Sequence, residues 1–283
     1  MASPIVSTGW LQEHLEAPDI VIIHAMLPFE KTAAELKAEY LETRIPGALP
    51  FDIDEIADQS APLAHTMPSA VQFTSQMRKM GVGDGQRIVV YDTVGNFCAS
   101  RVWWMFRTFG IEDVVVLDGG LPKWMEEEKP IASGEPRPYK DRHFTARFQS
   151  MNVRDMDDVR EALKSGGDQV VDVRSPDRFT GKEKETREGL RSGRMNGALN
   201  VYYKDVLNEN QTMKSADELR AIFAAANVDL KTPIITSCGS GITAAIVSLG
   251  FEIAGHRGAA VYDGSWTEWG SCDENEVVTG PVK

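Results

Sequence analysis

At 283 residues, with 42% hydrophobic and 25% charged side chains, the chain has the make-up of a soluble globular protein long enough for one large or two ordinary domains. A net charge of −12 with scattered lysines and arginines excludes an overall basic face for nucleic acid, and no apolar run reaches membrane-spanning length. Three cysteines, Cys98, Cys238 and Cys272, are too few for a disulfide framework and form no CxxC pair or Cys/His cluster, so no structural metal is expected; the opening MASPIVSTGWLQEHL lacks the order of a secretory signal, and the expected setting is reducing and cytoplasmic.

In chain order, short β-branched runs alternate with helical stretches. IVII (20–23), RIVVY (87–91) and VVVL (114–117) precede a second set, QVVDV, TPIIT and AAVY, with helix-like segments such as SADELRAIFAAA between them. This alternation predicts an α/β sandwich around a mostly parallel sheet. The chain also repeats itself. RIPGALPFD from Arg44 resembles RMNGALNVY from Arg194, 150 residues on. GVGDGQRIVVYD ending at Asp92 parallels NVDLKTPIITSC ending at Cys238, and LDGGLPKW ending at Trp124 parallels YDGSWTEW ending at Trp269, at offsets of 146 and 145. Three blocks in one order at nearly constant spacing predict a duplicated domain rather than a solenoid of short repeats. Between the halves, residues 133–148 are polar and proline-bearing without periodicity and read as a linker, which divides the chain into residues 1–138, a connector 139–151 and residues 152–283.

In parallel sheets ligands bind beyond the carboxyl ends of the strands, and Cys238 stands at such an end, between PIIT and the helix-like ITAAIVSL. The residues that follow, Gly239, Ser240, Gly241, Ile242 and Thr243, allow a tight turn whose N–H groups point inward, with a helix N-terminus behind them. Both features favour a thiolate and an anionic ligand. A free cysteine is otherwise a small buried hydrophobe, and Cys98, whose loop lacks this tight turn, is read that way. In the first half the place of Cys238 is held by Asp92, so one half alone can carry the nucleophile.

Two such domains in tandem, with one reactive cysteine opening the last loop, resemble the rhodanese-type sulfurtransferases. CGSGITA is similar to the CGSGVTA loop of the 3-mercaptopyruvate sulfurtransferases, and RVWWMFRTFG, LDGG, RSPDRFTG, KSADELRAIF and YDGSWTEWG extend the resemblance over essentially the whole chain. The fold it implies is two tandem rhodanese-like domains, the first without a catalytic cysteine. The implied activity passes sulfur from 3-mercaptopyruvate through a Cys238 persulfide to a thiol, such as thioredoxin or a small thiol, or to cyanide, with release of pyruvate and without metal or organic cofactor. By resemblance Arg178 and Arg187 hold the substrate, although the charged run RFTGKEKETREGLRSGR taken alone reads as a solvated face; Arg174 and Arg191 are read as structural or surface groups. The resemblance also maps a Ser–His–Asp relay onto Ser240, His65 and Asp54, with Asp52 the lesser candidate, so that the active site would draw on both halves.

The loop also bears on the choice of donor. Thiosulfate sulfurtransferases place basic residues directly after the cysteine, and rhodanese-like phosphatases have a longer loop ending in arginine, whereas this chain has Gly239 and Ser240. A monoanionic keto acid fits better than a dianion. The rival readings are a thiosulfate:cyanide sulfurtransferase and a non-catalytic sulfur-carrier or scaffold module. The chain departs from the family pattern at His24, where an aspartate is common and Asp172 stands in the second half, and at Ala64, Arg194 and Asn196.

Overall fold

The computed structural model describes residues 3–28, 31–136 and 140–281. The chain forms two compact units, one of residues 1–149 with 209–213, the other of residues 150–208 with 214–283.

The first unit is built on strands β1 (Ile5–Val6), β2 (Ile20–Met26), β3 (Leu49–Asp52), β4 (Arg87–Tyr91) and β5 (Val114–Leu117), and the second on β6 (Val153–Arg154), β7 (Gln169–Asp172), β8 (Leu199–Asn200), β9 (Ile234–Ser237) and β10 (Ala260–Tyr262). The sheet orders are β1-β5-β4-β2-β3 and β6-β10-β9-β7-β8, with every pairing parallel. Substituting each strand by its counterpart five places later turns one order into the other, which is what the sequence repeat predicts. The central strands read as continuous apolar runs because helices cover both faces. In the first unit Ile22, Val89, Leu117 and Trp124 share one core; in the second Val170, Ile235, Phe179 and Trp266 do the same. Even the small antiparallel bridges repeat, Arg44 with Ala132 and Arg194 with Val278. At its departure from the family pattern, Arg194 uses its guanidinium to bond the Gly280 carbonyl (2.7 Å) and lies over the Phe179 ring.

The domain boundaries differ from the sequence reading in two respects, and the proposed break at 138/139 itself falls on residues 137–139, outside the described residues. The described end of the stretch read as linker has no helix or strand, but it is packed into the first unit. Phe144 is fully buried among Phe73 and Phe106, its carbonyl accepts from Arg78 Nε at 3.0 Å, and the main chain of Arg147 and Gln149 donates to Phe109 and Thr108. Periodicity cannot register one aromatic anchor in a polar stretch. Residues 209–213 also belong to the first unit, where Met213 N–H donates to Asp118 (2.8 Å) and the Gln211 carbonyl accepts from Asn96 (2.9 Å).

His24, on β2, is buried and accepts the Tyr91 hydroxyl proton at Nδ1 (3.0 Å), while the same hydroxyl accepts from Ile45 N–H (3.1 Å). Burial, and then the nearby Arg44 cation, push its pKa down to about 4 from an ordinary 6.5. The unfolded chain therefore binds a proton that the folded chain refuses, and the stability tied to neutral His24, about 3 kcal/mol, is present above pH 6.5 and lost as pH falls towards 4. Urea unfolding of the full chain between pH 7 and 4.5 should show this loss in excess of that in His24→Gln, which does not titrate; equal pH dependence of the two proteins would contradict it.

Candidate active site

The second unit places Cys238 directly after β9 and ahead of the helix Ala244–Ala254, with its side chain buried. Gly241 takes the left-handed conformation (φ 79°) that lets the chain turn within five residues. The helix starts with no side chain capping it, since Thr243 makes no cap bond; instead Ala245 and Ile246 N–H bond back to the carbonyls of Ile242 (3.2 Å) and Thr243 (3.1 Å).

A second short segment, Ser265–Trp269, clamps the start of the loop. Trp266 N–H donates to the Cys238 carbonyl (3.0 Å), and Thr267 gives both its N–H (2.9 Å) and its hydroxyl (2.7 Å) to the Gly239 carbonyl. Cys238 N–H in turn donates to Ser265 Oγ (3.1 Å), whose hydroxyl proton goes to the Tyr262 carbonyl (2.7 Å) while the Cys238 sulfur lies 4.0 Å away. Ser265 sits at φ 49°, a strained region for a residue with a Cβ, and the matching position in the first half is Gly120 at φ 56°. A serine is kept there although glycine would be easier, because its hydroxyl satisfies the nucleophile's own N–H. The repeat, by setting Ser265 against Gly120, already held that signal.

Arg178 reaches the loop from the helix Pro176–Phe179; its Nη2 lies 3.5 Å from where a Cβ on Gly239 would stand. Its fork is engaged on one edge by Glu185, with Nη2 to Oε2 at 2.5 Å and Nε to Oε1 at 3.4 Å. Glu185 is also held by Arg174 Nη1 (2.7 Å), and Arg174 by Asp172 (Nη2 to Oδ2, 2.6 Å) and the Gly193 carbonyl (2.8 Å), with its guanidinium 3.9 Å from the Trp266 ring centroid. The Asp172, Arg174 and Glu185 side chains are 0%, 1% and 1% exposed, against 25% for Arg178. Arg174 is thus structural, as read. Arg191 is as well, bonded to the carbonyls of Gly270 and Asn275. Arg187 is exposed and donates to the Thr267 hydroxyl, which bonds Gly239. Tyr203, half-buried, has its phenol pKa raised mainly by burial, with the charges of Cys238 and Arg178 both bearing on it. Glu185, Thr267, Ser265 and Tyr203 were not picked out from the sequence.

In the first unit His65 and Asp54 are in contact, Nδ1 to Oδ1. Asp52 faces elsewhere, accepting the N–H groups of Asp54 (2.9 Å) and Glu55 (3.3 Å) as the cap of a helical turn. His65 itself is left-handed (φ 64°), and its carbonyl is gripped by the fully buried Arg101 (2.7 Å). A carboxylate only accepts, so Nδ1–H is the donor in this contact.

At the end of β4 the counterpart of Cys238 shows what the duplicated loop does without a nucleophile. Asp92 turns its own carboxylate into the turn, accepting N–H groups from Val94 (2.9 Å), Gly95 (2.6 Å) and Ala99 (2.8 Å). Leu121 N–H bonds the Asp92 carbonyl (2.9 Å) just as Trp266 N–H bonds that of Cys238. The first-unit nest is filled by an internal anion.

A sequence profile of the rhodanese-like domain matches residues 7–127 and 155–272. The chain belongs to the rhodanese family. It is 38% identical over 280 residues to the 3-mercaptopyruvate sulfurtransferase of Homo sapiens, spanning 95% of this chain and 94% of the human protein. It is also 38% identical over 272 residues to the thiosulfate sulfurtransferase of Bos taurus, spanning 94% and 91%. The crystal structure of SseA from Escherichia coli, described as a 3-mercaptopyruvate sulfotransferase, superposes with a TM-score of 0.83 at 37% identity, over 94% of this chain and 99% of that one. Both units are therefore rhodanese domains, and overall identity is the same to relatives named for two different donors.

Cys98 is buried, donates to the Ala25 carbonyl (3.3 Å), and has its thiol pKa pushed well up, first by burial and then by the Asp92 carboxylate. Alkylation of the native chain at pH 8, mapped by peptide mass spectrometry, should modify Cys98 at least about 100-fold more slowly than in the urea-unfolded chain. Comparable rates would contradict this placement.

Proposed function

We propose that the chain is a 3-mercaptopyruvate sulfurtransferase. The observation that carries this reading is the neutral Gly239–Ser240 turn beside Arg178. Since identity is equal to relatives named for either donor, the charge of the loop is the better guide. Arg178 and Arg187 offer guanidinium forks suited to a carboxylate and its neighbouring ketone.

In this reading the Cys238 thiolate attacks the sulfur of mercaptopyruvate. A sulfur–sulfur bond forms, the carbon–sulfur bond breaks with its electron pair moving to carbon, and the adjacent ketone takes up that charge as the enolate of pyruvate. In this reading main-chain N–H groups of the tight turn after Cys238 stabilise the charge exchanged at the sulfur. The relay that the family resemblance maps onto Ser240, His65 and Asp54 polarises the ketone or delivers the proton that converts enolate to pyruvate. A thiol, such as thioredoxin or a small thiol, or cyanide then attacks the outer sulfur of the persulfide, and Cys238 is restored as thiolate. The three unbridged cysteines accord with a reducing, cytoplasmic setting. Among the described residues, no helix is long and apolar enough to cross a membrane.

Donor turnover tests the reading. With cyanide as common acceptor, kcat/KM for mercaptopyruvate should exceed that for thiosulfate, and the reverse order would reject it in favour of a thiosulfate sulfurtransferase. Replacing Gly239 and Ser240 by Arg and Lys should then move preference towards thiosulfate. Gly239 makes only ordinary contact at 3.5 Å where a side chain would begin, so the turn can accept the change.

The relay has its own test. Ser240→Ala, His65→Ala and the double variant should lower kcat for mercaptopyruvate by similar factors, because groups acting as a unit do not lose activity multiplicatively. Thiosulfate transfer, which needs no enolate protonation, should fall far less. Multiplicative losses would break the proposed coupling.

A further inference from the structure

The charged run after β7 reads as a solvated surface, yet it buries a carboxylate against a cation of the site. Glu185 has 1% of its side chain exposed and bridges Arg174 and Arg178. Its main-chain N–H is tied to Ser192 Oγ (3.3 Å), and Arg174 is locked by Asp172, Gly193 and Trp266. The four side chains form one ladder, Asp172–Arg174–Glu185–Arg178, of two cations and two carboxylates, so its charges sum to zero. Arg178 is its exposed end. With Nε and one Nη2 proton committed to Glu185, the outer Nη1/Nη2 edge is the fork left for one carboxylate, and Nη2 lies 3.5 Å from where a Cβ on Gly239 would stand. Arg187 binds the Thr267 hydroxyl and, among the described residues, makes no ion pair. The arginine side of the site thus carries one uncompensated positive charge.

From this we infer that Glu185 is a positioning and specificity-determining residue: it fixes the fork of Arg178 and cancels its charge, so that the Cys238 site is matched to a monoanionic sulfur donor and held back from a dianionic one. The inference rests on the donor reading above and deepens it. Without Glu185 the same two arginines would present two uncompensated cations, favourable to a dianion in a partly desolvated site. The neutral Gly239–Ser240 turn and the compensated Arg178 then act in the same direction, one by carrying no cation and the other by masking one.

The test uses the full chain with mercaptopyruvate and thiosulfate as donors and cyanide as acceptor, read as the ratio of kcat/KM for thiosulfate to that for mercaptopyruvate. Glu185→Gln should raise this ratio at least about tenfold over wild type and steepen the fall of thiosulfate kcat/KM with ionic strength, a readout that loss of packing alone does not produce. An unchanged ratio with an unchanged salt dependence overturns the inference. Should Glu185→Gln fail to fold, Glu185→Asp decides. It keeps the charge and withdraws the carboxylate by one methylene, so KM should rise for both donors with the ratio within about twofold of wild type, whereas a ratio that moves assigns selection to geometry and overturns the role of charge. The wild-type ratio reports on the donor reading and the change in ratio on Glu185, which keeps the two failures apart.

Discussion

The hydrogen bonds from Trp266 and Thr267 to the carbonyls of Cys238 and Gly239 are the constraint on which the second unit depends. They fix those two carbonyls against the segment Ser265–Trp269 and so set the path of the turn that follows. Ser265 completes the arrangement at the cost of an unfavourable backbone angle. Strain of this kind persists only where the surroundings over-determine it, and here two sides do so: the Tyr262 carbonyl takes the serine proton, and the cysteine N–H takes its lone pair.

Duplication supplies an internal control for this geometry. The same strand end and the same bond to the first carbonyl occur in the first unit, but Asp92 fills its own turn through three N–H bonds. A carboxylate there is a permanent internal ligand, and the thiol nearby, Cys98, is driven towards its neutral form by burial and by Asp92. One fold therefore gives a loop filled by its own carboxylate and a loop that opens on a thiol, and the difference lies in which side chain ends the strand. Around the second loop, buried charge is used for orientation. A buried ion-pair ladder adds little net stability, because desolvation offsets most of the Coulombic gain, but it holds the one partly exposed guanidinium beside Gly239 in a single pose.

Much of this was legible in the sequence because it is periodic or local. Offsets of 145 to 150 residues between matched blocks foretold two sheets of the same order. A cysteine between a β-branched run and a helical run located the strand end, and the eleven-residue spacing of Asp54 and His65, weighed with the family resemblance, selected the carboxylate that meets the imidazole rather than Asp52. What escaped was the outcome of long-range burial. Nothing in RFTGKEKETREGLRSGR distinguishes Glu185 from Glu183 or Glu188, since its burial is decided by Arg174 and Trp266 arriving from other elements. Phe144 anchors a stretch whose polar composition reads as linker, and residues 209–213 join the first unit through main-chain bonds that leave no mark on composition.

The central claim is that Cys238 carries the transferred sulfur and that its formation is tied to release of pyruvate. The most direct measurement is a single turnover without acceptor: the chain is mixed with excess 3-mercaptopyruvate, pyruvate is counted, and the cysteine peptides are weighed by mass spectrometry with and without reductant. One pyruvate per chain, with one reductant-labile sulfur on the Cys238 peptide and none in Cys238→Ser, is the predicted result. Pyruvate formed with the sulfur on Cys98 or Cys272, or formed equally by Cys238→Ser, would contradict the account.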